Sequence, residues 1–180
     1  MTFEVDFDKI NGMEIVPYIK KYSLAISELS QEIFEDASMV SGFYSPDNIS
    51  LIGIENNRVI GLIGAMPQYS KTGWEMHPLG VHKEYRGRGY GAALVAALEQ
   101  EVVKRGGVMV YLGSDDENGT TSLYGVDLYE DTYGKIASIK NTGGHPYTFY
   151  EKQGYKIVGV FPDANGIGKP DIWMAKRIKA

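Results

Sequence analysis

Between about residues 15 and 37, apolar positions recur as Ile15, Val16, Tyr18, Ile19, Tyr22, Leu24, Ala25, Ile26, Leu29 and Ile33 among polar ones. This spacing is closer to the helical period than to alternation and predicts one or two amphipathic helices. The pattern then breaks into short apolar runs at 50–55 and 58–67, joined by Asn56-Asn57, a dipeptide that tolerates the left-handed conformation of a tight turn. A β-hairpin is expected there, with a third strand over 74–82. Residues 89–105 are strongly helical and stop at Gly106-Gly107. A buried-type strand follows at 108–112, and then a polar, acidic loop from 113 to about 127, long enough to mark it as a substrate-facing candidate. Helices are expected near 128–139 and 146–153, the second closed by Gly154, and strands at 155–161 and 172–176. This order predicts a mixed α/β fold, a central sheet with helices on both faces.

The junction between the third strand and the long helix carries the most distinctive chemistry. Tyr85-Arg86-Gly87-Arg88-Gly89-Tyr90-Gly91 runs directly into Ala92 and the helix. Glycines at 87, 89 and 91 let backbone approach an anion, the amides of the first helical turn point at it, and the helix dipole adds roughly half a positive charge. Arg86 and Arg88 add bidentate phosphate donors. The segment lacks a Walker lysine, and it has neither the G-x-G-x-x-G spacing nor the acidic ribose ligand of a dinucleotide site. It fits Arg-x-x-Gly-x-Gly, filled by Arg86, Gly89 and Gly91. Two plainer readings stand beside this one: a glycine-rich helix entry with exposed arginines, and an arginine-glycine segment for nucleic acid. The second is weakened because the cluster occurs once in a chain of net charge -5.

Composition narrows the classes further. With 180 residues the chain is sized for one domain, burying roughly 70% of its unfolded surface. Its 23 acidic against 18 basic residues argue against nucleic acid and anionic membrane, and mildly favour a cationic partner, although solubility alone explains such a balance. There are no cysteines, which removes disulfides, thiolate metal sites and cysteine nucleophiles together. His77, His82 and His145 have no metal-ligand spacing. The first nine residues lack a basic flank followed by an apolar core, and no apolar run approaches about 18 residues, so a soluble, cytoplasmic protein is expected.

The Arg-x-x-Gly-x-Gly loop after the third central strand resembles the acetyl-CoA pyrophosphate loop of the GNAT acetyltransferase superfamily. The resemblance sharpens in the phrases at 64–69, 72–79, 105–113, 119–122, 145–160 and 169–176, among them Thr-Gly-Trp-Glu-Met-His-Pro-Leu and His-Pro-Tyr-Thr-Phe-Tyr-Glu-Lys-Gln-Gly-Tyr. From about residue 50 to the C-terminus these resemble the chromosomally encoded branch of aminoglycoside 6'-N-acetyltransferases. The resemblance implies a GNAT fold with a mostly antiparallel sheet and a splayed cofactor-binding strand pair, acetyl-CoA as donor with coenzyme A as product, a small cationic amine as acceptor, and a homodimer. Without a cysteine to carry an acyl group, direct transfer is expected.

The same resemblance distributes the roles. Acetyl transfer needs a neutral amine, a donor for the acyl oxygen and a proton for the leaving thiolate. Glu75 is assigned to amine binding and base chemistry, with His77, two residues along the same strand face, as its partner; the plainer readings are a solvent-facing strand residue for Glu75 and a histidine hydrogen-bonded beside Pro78 for His77. The backbone of Leu79, Gly80 and Val81 is expected to hold pantetheine, with the Leu79 N–H as oxyanion donor. Arg86, Gly87, Arg88, Gly89, Tyr90, Gly91 and Ala92 form the pyrophosphate site. Tyr150 is the general acid, with Tyr147 as its competitor. Many superfamily members carry an asparagine seven residues before that tyrosine; here the position is Gly143, and Asn141 is the nearest substitute. Asp115, Asp116 and Glu117 are either an amine-binding patch or a solvated loop, and Trp74 either a cleft wall or core. Rival activities are acetylation of a polyamine, another small amine or protein lysine, and, in a different class, a non-catalytic acyl-CoA-binding regulatory module.

Overall fold

The apolar residues from 15 to 33 do two different jobs in the computed structural model, which describes residues 12–179. Glu14–Pro17 is a strand, β1, antiparallel to Ile49–Glu55, β2, with Ile15 opposite Gly53. Only from Ser23 to Phe34 is the segment α-helical (α1), with 3-10 turns at Lys20–Tyr22 and Ala37–Tyr44 on either side. The expected helix over 15–37 is thus corrected at its start. Ile15 and Val16 are β-branched and Pro17 lacks an amide hydrogen, so an edge strand costs them less than a helical turn. The reading of residues 1–9 lies outside the described residues.

The chain packs as two units, one running to Val110 and including Ile178 onward, the other Tyr111–Arg177. In the first, β2 and Arg58–Gln68 (β3) form the expected hairpin, with Asn56 and Asn57 both left-handed at φ 49° and 63°. Gly73–Val81 (β4) pairs antiparallel with β3. Helix α2, Tyr90–Lys104, ends where Gly106 turns left-handed at φ 83° and the Gly107 N–H reaches back to Val102 O. The two helices cover opposite sheet faces. Leu62 packs with Ile26 and Leu29 of α1, and a Cβ on its partner Gly80 would come within 2.9 Å of Phe34; a Cβ on Gly61, one position along β3, would come within 2.9 Å of Leu94 in α2. Burial of these apolar side chains, at about 25 cal/mol per Å2, is the main favourable contribution to this unit.

The second unit contains β5 from Tyr111 on (the strand is Met109–Asp115), then α3 (Thr132–Ala137), α4 (Tyr147–Lys152), β6 (Lys156–Phe161) and β7 (Asp171–Arg177). Its strands lie in the order β5-β7-β6, with β6 and β7 antiparallel. The predicted α/β class with mostly antiparallel strands is observed. No helix among the described residues is long and apolar enough to cross a membrane.

Candidate active site

In the first unit, a bulge in β4 decides which side chains face which way. Ala65 pairs with Met76 and Ile63 with Leu79, so His77 and Pro78 together oppose Gly64. Gly64 is needed here, because a Cβ would stand 2.7 Å from the His77 carbonyl oxygen. Directly opposed residues of an antiparallel pair share a face. Glu75, opposite Met66, therefore lies with His77 on the face that α1 and the 37–44 turn cover, while Leu79 and Val81, opposite Ile63 and Gly61, turn toward α2. Glu75 is half-buried and His77 exposed. Trp74 is not on a cleft wall. It is 1% exposed, donates its indole N–H to Lys71 O and lies under the Arg105 guanidinium, which corrects its substrate-binding assignment to core.

Past β4 the glycine loop is built from local bonds. His82 caps a 3-10 turn, Lys83–Tyr85. Arg86 Nε donates to Val81 O at 2.9 Å, and Arg88 donates to Glu84 O at 3.0 Å while lying over the Tyr85 ring. Both arginines, Gly87 and Gly89 are exposed, and both glycines have positive φ, 76° and 84°. Gly89 is the N-cap of α2, which has no side-chain cap and no acidic residue in its first turn. The helix start offers its amides and its positive end without a carboxylate competing for them. Tyr90 is buried, and its hydroxyl donates to Glu55 Oε1 at 2.6 Å, a hydrogen bond that raises the phenol's pKa. Its side chain anchors the helix to β2, so only its backbone is available to a cofactor.

The second unit holds the remaining predicted residues. Asp116, 1% exposed, accepts from the N–H and hydroxyl of Thr120 at 2.8 and 3.0 Å and from those of Thr121 at 2.8 and 2.7 Å. Burial alone would raise its pKa, but these four hydrogen bonds outweigh it and hold the carboxyl below its ordinary value. Its lone pairs are spent on the loop, so its assignment to substrate binding is corrected to a structural one. Asp115 is exposed and accepts from the Asn165 side-chain amide. Asn141 is corrected likewise. Its Oδ1 accepts from Gly144 and His145 N–H, and its Nδ2 donates to His145 O and the Thr148 hydroxyl, leaving the amide saturated within its own turn.

His145 is buried between β5 and α4. Its Nδ1 accepts from Tyr147 N–H at 3.1 Å, so the ring hydrogen sits on Nε2 and donates to Asp115 O at 3.0 Å, and burial lowers its pKa. Tyr147 is buried, its phenol raised by desolvation and by Glu151 although the Asn141 backbone bonds it. Tyr150 is half-buried against the edges of Phe149 and Tyr155, at 5.1 and 6.0 Å between centroids, and burial pushes its phenol up to about 12. Among the described residues no cluster of acidic or histidine side chains has metal-binding geometry.

Comparison with known proteins fits this arrangement. The model of the acetyltransferase (GNAT) family matches residues 18–134. The chain belongs to the GNAT acetyltransferase family. Among solved structures, an aminoglycoside 6'-N-acetyltransferase complexed with coenzyme A is 43% identical, with a TM-score of 0.88 over 93% of this chain and 98% of that one. The aminoglycoside 6'-N-acetyltransferase from Enterococcus faecium is 42% identical, TM-score 0.85, with the same coverage. An aminoglycoside 6'-acetyltransferase of type Ii is 37% identical, TM-score 0.73, again over 93% and 98%. A search of curated proteins found no significant match.

Within this GNAT acetyltransferase, sequence reading missed the Thr120 and Thr121 contacts to Asp116. An aspartate followed four and five residues later by threonines is the spacing at which side chains bond nearby backbone, and it was a usable signal. The consequence is measurable. Asp116→Asn keeps one acceptor oxygen but presents N–H2 to the donors of one threonine, and is expected to destabilise the protein by about 3 kcal/mol, lowering Tm by roughly 6 to 12 °C in a thermal melt. The carboxyl's pKa is lower folded than unfolded, so its stabilisation is complete above about pH 5 and is lost as pH falls below the ordinary value of about 3.9 toward the lowered one. Wild type and Asp116→Asn should therefore converge in stability on acidification.

Proposed function

We propose that this acetyltransferase moves an acetyl group from acetyl-CoA directly onto the 6'-amino group of aminoglycosides. The observation that carries the reading is 43% identity over 93% of the chain to an aminoglycoside 6'-N-acetyltransferase complexed with coenzyme A. The residues fit that donor: α2 begins at a left-handed glycine with no side-chain cap and no acid in its first turn, and nothing lies within 4 Å of where a Gly87 Cβ would be. When bound, acetyl-CoA supplies the activated acetyl thioester.

The backbone N–H groups of Gly89, Tyr90, Gly91 and Ala92 bind pyrophosphate, with Arg86 and Arg88 beside them. The backbone of Leu79, Gly80 and Val81 holds the pantetheine arm. The Leu79 N–H donates to the acyl oxygen as negative charge grows there, worth roughly 3 kcal/mol to the transition state. That Leu79 and Val81 direct their side chains toward α2 is compatible with a role for backbone alone. Glu75 pairs with the acceptor ammonium and takes its proton, directly or through water, with His77 on the same strand face. Tyr150 gives its phenolic hydrogen to the departing thiolate. Asp115, exposed at the end of β5, adds a negative charge that favours a polycation. The family match crosses the border between the two packed units, which supports one functional domain spanning the chain. A cytoplasmic homodimer completes the reading.

Thiol release from acetyl-CoA by the purified protein tests it, with kanamycin, spermidine, a lysine peptide and a 6'-hydroxy aminoglycoside as acceptors. Fast release with kanamycin alone is the expected result. Release favouring spermidine or peptide would overturn the acceptor and keep the donor. Binding of acetyl-CoA without release to any amine would replace the enzyme by a regulatory module.

A further inference from the structure

His82 stands at the joint between β4 and the glycine loop, and none of the roles above uses it. It is 3% exposed, yet its polar atoms reach partners from several elements of the first unit. Its backbone N–H donates to Ile60 O of β3 at 2.9 Å, and its carbonyl accepts from Tyr85 N–H at 2.9 Å. On the ring, Nδ1 accepts from the Glu84 N–H at 3.2 Å, while Glu32 Oε1 of α1 and Arg58 Nη2 of β3 approach Nε2 at 3.0 and 2.7 Å. With Nδ1 accepting the Glu84 N–H, the Nε2 edge of the ring faces the Glu32 carboxylate and the Arg58 guanidinium together. Arg58 also reaches Glu84 through its other terminal nitrogen, Nη1, at 3.9 Å.

The turn that His82 caps is the one from which both arginines are aimed. The Arg86 N–H bonds Lys83 O, and Arg88 is held by Glu84 O and the Tyr85 ring. We propose that His82 is a positioning residue for pyrophosphate binding: by capping Lys83–Tyr85 and tying that turn to Glu32 of α1, it fixes Arg86 and Arg88 before the donor arrives. Removing the acceptor leaves the Glu84 N–H without its partner and loosens both arginine anchors, and that lost preorganisation appears as weaker donor binding. The inference rests on reading the loop as the acetyl-CoA pyrophosphate site.

Two substitutions separate capping from space-filling. His82→Leu keeps bulk and removes the acceptor; His82→Asn loses bulk and keeps an acceptor suited to an N-cap. Coenzyme A binding by calorimetry and the KM for acetyl-CoA are measured on the full chain, with Tm as a control for folding. His82→Leu is expected to raise both Kd and KM about tenfold with kcat within twofold of wild type, and His82→Asn to return both constants to within about threefold. Wild-type binding by His82→Leu, equal loss in both variants, or a fall in kcat with Kd unchanged would each overturn the assignment. A wild-type protein that binds no coenzyme A would instead overturn the reading of the loop itself.

Discussion

Tyr150→Phe is expected to lower kcat by about 100-fold while leaving the KM for acetyl-CoA within twofold, measured by thiol release at saturating kanamycin. The substitution deletes one hydroxyl and keeps the ring packed against Phe149 and Tyr155. Among the described residues that hydroxyl makes no hydrogen bond, so little stability goes with it and Tm should hold. A general acid must be protonated when the thiolate leaves. Burial pushes the Tyr150 phenol up to about 12, so the protonated form persists through the working range. The sign follows from desolvation, which disfavours the phenolate. Proton donation by Tyr150 should therefore cause no alkaline fall in kcat below about pH 10, where an unperturbed tyrosine would already be half ionised. Wild-type turnover in Tyr150→Phe would reject the role.

Glu75→Gln should act on the other substrate. Its kcat/KM for kanamycin is expected to fall by about 100-fold or more at neutral pH, with the KM for acetyl-CoA unchanged. Glutamine keeps the shape of the side chain but neither attracts an ammonium nor accepts its proton. The deficit should shrink as pH rises, because more of the acceptor amine is then already neutral. Glu75 is half-buried on the α1 side of the sheet, where a charge interaction is screened less than in open water. A loss under threefold, or one equally large at high pH, would remove Glu75 from proton transfer and leave it at most a binding residue.

Much of the fold was legible because its signals are local. The Asn56-Asn57 turn, the glycines that begin and end α2, and the short helix closed by Gly154 all depend on conformations a few residues set by themselves. The conformation of the loop at 86–91 was legible for the same reason, since an uncapped helix start at a left-handed glycine needs only glycine and the turn that follows. Helix α3 came out shorter than the expected 128–139 because Asp131 is left-handed, at φ 50°, and the helix begins only after it.

The site residues were less legible, and Trp74, Asp116 and Asn141 show why. Each has a side chain able to serve a ligand, and each is engaged by its own fold: Trp74 under Arg105, 31 positions along the sequence (105 less 74), Asp116 on Thr120 and Thr121, Asn141 across its own turn. Residue type says what a group can bond, not which of its bonds are already made.

By itself, then, the amino-acid sequence determined the order of most elements, the glycine-rich, uncapped helix start and the chemical repertoire of carboxylate, imidazole and phenol, because short-range backbone preference and side-chain chemistry are properties of the residues. Tertiary structure alone decided that residues 14–17 are a strand and that the His77-Pro78 bulge sets Glu75 and His77 on one face with Leu79 on the other. It also decided that His82 bridges α1 to the turn that opens the glycine loop. Those outcomes depend on register and burial, and both are set by partners distant in sequence, whose approach no local pattern encodes.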